Sequence, residues 1–334
     1  MKRKYDVCAI GNALVDYEIE VKDQFFEENS VEKGLMTIVE EDRQQELLSA
    51  AQGKIKKRQG GGSAANTIFG LAELGGKGFY TCKVADDSDG ALFVEDLQNA
   101  GIATNLDPAG LYDGITGKCL VMVTEDAERT MNTFLGITSD FSSQQLSEEA
   151  INAANYLFME GFLVSSPTGL EAMKKAKQIA EGSGTKTSLT FSDPSMVKYF
   201  GDQMKEVVSG GVDLLFCNSE EAELFTGASN LEEAKKALKE IAKQFVITLG
   251  DKGSLVFDGV DFIEIDPVKV IPVDSTGAGD MYAGAFLYGV NHGFSAENAG
   301  ILASHASSAI VGKFGPRFES GQADEILKKI KPRG

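Results

Sequence analysis

The sequence predicts an α/β protein built on a mainly parallel sheet with helices on both faces. Three observations carry that reading. Near-continuous apolar runs of strand length alternate with longer helical segments along most of the chain. The runs end at polar or glycine-rich turns. Two stretches, within about 14–40 and 112–136, alternate with period two instead, which reads as a small sheet laid over the main body as a lid. No internal repeat or low-complexity linker divides the chain, so residues 1–334 read as one domain carrying those two lid segments.

In order, Lys4–Ile10 predicts a buried first strand that breaks at Gly11-Asn12. Tyr17–Val39 alternates weakly and belongs to the lid, and Glu41–Ala51 predicts a two-faced helix. After the basic stretch Ile55–Gln59 come Gly60, Gly61 and Gly62, then Ser63 as the expected N-cap of an apolar helix Ala64–Leu74. Gly78–Val84, Gly90–Ala100 and Ile102–Leu106 continue a strand–helix–strand rhythm. Thr116–Thr124 and Arg129–Leu135 predict a hairpin around Glu125-Asp126-Ala127-Glu128. Strands at Asn155–Met159, Thr187–Ser192, Val212–Phe216 and Phe245–Leu249 alternate with helices at Pro167–Glu181, Glu220–Thr226 and Leu231–Ala242. A meander at 254–257 and 261–265 precedes three closing helices, over Met281–Val290, Ala296–Val311 and Gln322–Ile330.

Composition narrows the function. The 334 residues are 43% hydrophobic and 25% charged, enough for a large core. The net charge of -18 disfavours nucleic acid and anionic membranes as partners, without forbidding a local site for a nucleotide. No apolar run approaches the roughly 20 residues that span a bilayer. Asp6, Asn12 and Asp16 interrupt the N-terminal apolar stretch, which therefore does not read as a signal peptide. Cys8, Cys82, Cys119 and Cys217 are widely spaced, as buried thiols of a cytoplasmic protein would be. Neither His292 nor His305 makes a zinc spacing with them; His305 is read as a structural helix residue or a ligand contact.

The chemistry concentrates in Ile271–Gly284, IPVDSTGAGDMYAG. Gly277, Ala278 and Gly279 open a helix, where unpaired N–H groups and the helix dipole favour an anion. Asp280 is then misplaced electrostatically unless it takes a proton from an attacking hydroxyl. A glycine-rich turn with an acid in the first helical turn accounts for the same letters.

The stretch D-S-T-G-A-G-D resembles the C-terminal signature of the ribokinase/PfkB family of small-molecule kinases. The resemblance implies a ribokinase-like fold, Asp280 as base, and the amides of Gly277, Ala278 and Gly279 as an anion hole. Gly61-Gly62-Ser63-Ala64-Ala65-Asn66 is similar to the family's N-terminal G-G-x-x-x-N, which implies that Gly61, Gly62 and Asn66 hold hydroxyls of the acceptor. Asp16 falls on the acid that holds two neighbouring hydroxyls. Asn218 and Glu221 match N-x-x-E, implying a place at phosphate and at magnesium, the latter for Glu221 through water. An N-capped helix explains that pair equally. Thr248, Gly250 and Gly253 match T-L-G-x-x-G, which lies against ATP. Asp274 and Thr276, with Lys313–Arg317, match the place where many members hold a monovalent cation such as K+. Arg129 meets either phosphate or neighbouring carboxylates. No G-x-x-x-x-G-K-[ST] and no protein-kinase signature set is present.

The implied reaction transfers the γ-phosphoryl of ATP to a primary hydroxyl, with Mg2+, in a monomer or homodimer. G-N-A-L-V-D and G-G-S-A-A-N look like the words of adenosine kinases, and Leu14, Met36, Met131, Phe134 and Leu135 offer apolar cover for a flat base. Adenosine is thus the expected acceptor; another nucleoside, or ribose, fructose or ketodeoxygluconate, is the alternative. A non-catalytic nucleotide-binding regulator is the reading from a different class.

Overall fold

The computed structural model describes residues 3–125 and 129–330, except for the side chain of Arg129. The middle of the expected hairpin, residues 126–128, and any contact of Arg129 therefore lie outside the described residues. The strands among the described residues are β1 Tyr5–Ile10, β2 Leu14–Glu20, β3 Met36–Ile38, β4 Ile55–Gly61, β5 Gly78–Thr81, β6 Ala103–Thr104, β7 Gly117–Val123 and β8 Arg129–Phe134, then β9 Ala154–Glu160, β10 Lys186–Thr190, β11 Val212–Asn218, β12 Ala242–Thr248, β13 Ser254–Phe257 and β14 Phe262–Ile265.

Nine of them form the main sheet in the order β14-β13-β12-β11-β10-β9-β1-β5-β6. From β12 to β6 every pair is parallel, while β12-β13 and β13-β14 are antiparallel, which is the expected meander. The strands are apolar on both faces because both faces are covered. Val7, Ala9, Phe158 and Phe216 belong to a core shared with the helices Ser63–Glu73, Ala278–Asn291 and Ala296–Val311. Their neighbours Cys8, Ile10, Leu157 and Cys217 point to a second core under the helices Pro167–Ser183, Pro194–Val208 and Ser219–Thr226.

The chain leaves β1 for β5 on one side and returns through β9 on the other. At such a reversal the loops diverge, and the crevice beyond the strand ends is where ligands bind in open α/β sheets.

The second sheet runs β3-β8-β7-β2-β4. It is the expected lid, with three refinements. Ile55–Gly61, read from sequence only as basic, is its edge strand, and Gly60 and Gly61 end that strand rather than form a loose turn. A short helix, Asp23–Glu28, interrupts the alternating stretch and buries Phe25 and Phe26. The lid's outer face is not bare: Tyr17, Ile19, Leu120 and Met122 join Leu47 and Phe93 from two flanking helices in the first core. The four cysteines are buried and free, as expected, and no described helix is long and apolar enough to cross a membrane.

Helices Ser63–Glu73 and Ala278–Asn291 cross in close contact because Gly284 presents no side chain. A Cβ there would lie 2.4 Å from the carbonyl oxygen of Thr67. Gly284→Ala therefore overpacks the contact and is predicted to cost about 1–3 kcal/mol. The check is the denaturant midpoint; a variant as stable as wild type would show that the helices separate without strain.

Candidate active site

Strand ends and helix starts converge on one cavity of about 440 Å3. Asn12 follows β1, Glu160 ends β9, Thr190 ends β10, Asn218 ends β11 and Thr248 ends β12, and all five line it. The opposite wall is the inner face of the lid, with Leu14, Asp16, Met36, Cys119, Val121, Met131 and Thr133. Strand register explains that list. Asp16 pairs with Cys119 and Cys119 with Thr133, so the three stand on one face. Phe134 pairs with Lys118 and stands on the other face, away from the cavity. The expectation that Phe134 covers a ligand is thus corrected by a one-residue shift of strand parity; Met131 and Leu135 do line the cavity.

Asp280 sits in the first turn of its helix and faces Ser63 and Asn66. Ser63 Oγ donates to Asp280 Oδ1 at 2.7 Å and Asn66 Nδ2 donates to Oδ2 at 3.2 Å. Ser63 is therefore not the helix N-cap. The helix begins at Ser63 itself, and Gly62 precedes it with φ 101. The left-handed conformation and a Cβ position 2.3 Å from the Asn12 carbonyl both require glycine at 62. Asn66 Oδ1 is buried with no hydrogen-bond partner. An acceptor of this kind at a cavity wall is suited to a ligand hydroxyl.

Asp16 is buried at the cavity, and its carboxyl is pushed up to about 7, chiefly by burial; Arg317 opposes the shift, whereas Glu18, Asp280 and Asp274 add to it. Its carboxylate rests on Gly61, where a Cβ would come within 2.1 Å of Oδ2. So Gly61 makes room for Asp16, while Gly62 lines the cavity itself.

Gly277 and Gly279 line the cavity, but Ala278 does not; its N–H turns back to the Ser275 carbonyl at 3.2 Å. Asn218 and Glu221 form a capping box: Glu221 N–H donates to Asn218 Oδ1 at 2.8 Å, and Asn218 N–H donates to Glu221 Oε2 at 2.9 Å. Both also line the cavity, so the cap and a ligand-facing position coincide. Burial pushes the Glu221 carboxyl up to about 7, with Asp193, Glu220 and Asp280 adding to the shift. Gly250 and Gly253 lie in the turn behind Thr248 and do not reach the cavity. Asp274 accepts from Thr276 N–H at 2.8 Å and from Thr276 Oγ1 at 2.6 Å, and its other oxygen accepts from Gly315 N–H at 3.1 Å. Neither Lys313 nor Arg317 lines the cavity. His305 lies on helix Ala296–Val311, away from it.

Two residues escaped the sequence reading. Glu160 is buried at the end of β9 and accepts from Asn12 N–H at 3.1 Å, Asn12 Nδ2 at 2.9 Å and Ala64 N–H at 2.8 Å. It ties the first strand's loop to the helix carrying Asn66, and burial pushes its carboxyl up to about 7 despite those bonds. Its signal was a charged residue ending an apolar strand. Arg317 is half-buried beside the ring of Phe69, its guanidinium 3.1 Å from the ring centroid and its Nε out of solvent. A basic residue inside a loose loop match gave no sign of burial.

Residues 36–322 match the family described as pfkB family carbohydrate kinase. A probable sugar kinase protein of Rhizobium etli is similar across 98% of this chain and 99% of its own, at 31% identity and a TM-score of 0.91. The adenosine kinase of Sinorhizobium meliloti is similar across the same shares, 98% and 99%, at 34% identity and a TM-score of 0.90. Adenosine kinase of Saccharomyces cerevisiae is 26% identical over 339 aligned positions, covering 94% of this chain and 97% of that protein.

The raised carboxyl of Asp16 has a consequence for stability. Unfolded, Asp16 ionises near 3.8; folded, it holds its proton to about 7. Between those values the folded state binds more protons, so stability falls as pH rises. The ligand-free protein should therefore lose thermal stability from about pH 5 to pH 7, and Asp16→Asn should make that slope shallower, with Glu160 and Glu221 carrying the rest. An unchanged slope in the variant would mean that Asp16 ionises normally.

Proposed function

The chain belongs to the pfkB family of carbohydrate kinases, which phosphorylate a hydroxyl group of a sugar or nucleoside with ATP, and we propose that its own acceptor is adenosine, phosphorylated at the 5′-hydroxyl. The observation that carries this choice is the cavity wall. A buried carboxylate, Asp16, stands on the same sheet face as Leu14, Val121 and Met131. A carboxylate takes the two ribose hydroxyls and the apolar side chains cover a purine. Burying such a face contributes at ~25 cal/mol per Å2 of apolar area, a gain that a free sugar does not offer. The similarity to adenosine kinases of Sinorhizobium meliloti and Saccharomyces cerevisiae supports the same choice. The similarity to the probable sugar kinase of Rhizobium etli keeps a sugar acceptor as the second reading.

The roles follow from the geometry. Asp16 and Asn66 Oδ1 hold acceptor hydroxyls, with Gly61 and Gly62 shaping the approach. Asp280 takes the proton of the attacking hydroxyl; Ser63 and Asn66 fix its carboxylate by one hydrogen bond to each oxygen. The amides of Gly277 and Gly279, at a helix N-terminus, receive the γ-phosphoryl. Ala278 contributes to that turn mainly by closing it. Thr248 and Asn218 lie where ATP extends along the strand ends.

Magnesium fits this donor set. Among the described residues no three acidic, histidine or cysteine side chains are grouped to hold a metal by themselves. A small hard cation that keeps its waters and binds substrate phosphates needs no such group. Glu221 is the carboxylate that would hold it, through water, and the ion would neutralise charge on the phosphates. Asp274 and Thr276 are the proposed neighbours of a monovalent cation.

Two experiments test the reading. Asp280→Asn keeps the shape but removes the base, and turnover should fall by about 10² or more with ATP binding retained. A variant holding half of wild-type turnover, with chemistry rate-limiting, would remove Asp280 from that role. For the acceptor, kcat/KM for adenosine should exceed that for ribose or fructose, and Met131→Asp should depress adenosine far more than ribose. Ribose or fructose as the better substrate of the wild type would overturn the nucleoside reading and leave the kinase assignment intact.

A further inference from the structure

Arg317 belongs to no site motif other than the loop 313–317, and it does not line the cavity. Its placement is nevertheless costly, because a guanidinium taken out of water must be repaid by partners. Its partners are few. Nη2 donates to the carbonyl of Gly60, the cation lies over Phe69, and Nε is buried without a hydrogen-bond partner. Gly60 is gripped from both ends, since its N–H donates to Asp96 Oδ2 at 2.6 Å. Gly60 and Gly61 pair with Val15 and Leu14, directly beside Asp16.

We propose that Arg317 is a positioning residue for the acceptor: it fixes the Gly60–Gly61 strand end on which the Asp16 carboxylate rests, and its positive charge favours the ionised form of that carboxylate. This rests on the reading of Asp16 as the acceptor's hydroxyl ligand. The Asp16 carboxylate accepts no hydrogen bond from another described residue. The charged groups around it are Glu18 on its own strand, Asp280 on the helix, Asp274 on the preceding loop, and Arg317. The three acids disfavour its ionised form, and Arg317 alone of the four favours it. Arg317 responds in kind: burial pulls it down to about 10, and Glu73, Asp96 and Asp16 hold it up.

The test uses steady-state kinetics with adenosine and ATP at pH 7 and pH 9 on wild type, Asp16→Asn, Arg317→Met and Arg317→Lys. Without the positive charge Asp16 stays protonated to higher pH. Arg317→Met should raise the KM for adenosine about tenfold at pH 7, regain most of that at pH 9, and leave the KM for ATP unchanged. Arg317→Lys keeps the charge but not the fork, and should raise the adenosine KM only a few-fold at pH 7. A loss that is equal at both pH values, or equal for both substrates, would make Arg317 merely structural and overturn the proposal. Should Arg317→Met not fold, the lysine variant decides: an unchanged adenosine KM, or an equal rise for ATP, overturns it. Asp16→Asn separates the two ideas. If it leaves the adenosine KM unchanged, the Asp16 reading fails; if it raises that KM while the Arg317 variants do not, the Arg317 proposal fails alone.

Discussion

Buried negative charge at one crevice is the constraint on which the rest of this structure depends. Asp16, Glu160 and Glu221 are each almost fully buried around the same cavity, and half-buried Asp280 faces them. Taking carboxylates out of water disfavours their charged forms, and each acid in the cavity worsens the position of the others. Three of them are consequently pushed up to about 7. The surrounding chain supplies donors wherever it can: three to Glu160, a capping amide to Glu221, and a hydroxyl and an amide to Asp280. The Asp16 carboxylate receives none from the described residues, and the proposed function gives it to a ligand hydroxyl. On the proposed function, a site of this charge would accept a triphosphate only alongside cations and helix N-termini, which would bring the glycine turn before Asp280 and a metal ion together.

The lid obeys a related rule. It is held to the body by acids of one helix, Ser88–Asn99, and its N-cap. Asp87 accepts from Thr116 N–H at 2.8 Å at the start of β7. Asp89 accepts from Tyr17 Oη at 2.8 Å and pairs with Lys118 Nζ at 3.2 Å. Asp96 accepts from Gly60 N–H at the end of β4. These bonds reach three of the lid's strands, so the inner face that carries Leu14, Asp16 and Met131 is set by the body and not by the lid alone. Phosphoryl transfer requires that kind of control, because water left near the γ-phosphoryl competes with the acceptor.

Much of this was legible in the sequence. The parallel sheet followed from apolar strands separated by helices, and the antiparallel hairpin from period-two alternation. The residues Asp16, Asn66, Asn218, Thr248, Gly277 and Asp280 were named as one site from short motifs, and the fold brings all of them to one cavity. What was missed has physical causes. Ile55–Gly61 hid its strand because an edge strand tolerates Lys, Arg and Gly on its open side. Ser63 looked like an N-cap because caps are chosen by local chemistry, yet its hydroxyl is claimed by Asp280, 217 positions away. Phe134 was misplaced because composition does not fix strand parity. Glu160 and Arg317 act through burial and through contacts far along the chain, neither of which a local pattern reports.

The central claim is that buried Asp16 reads the hydroxyl pair of a ribose whose 5′-hydroxyl faces Asp280. It is tested most directly by comparing kcat/KM for adenosine and 3′-deoxyadenosine in the wild type and in Asp16→Asn. A hydrogen bond to a charged group contributes roughly 1.5–3 kcal/mol, so the wild type should prefer adenosine by about 10- to 100-fold and the variant should lose most of that preference. Equal use of the two nucleosides by the wild type, or an undiminished preference in the variant, would contradict the account.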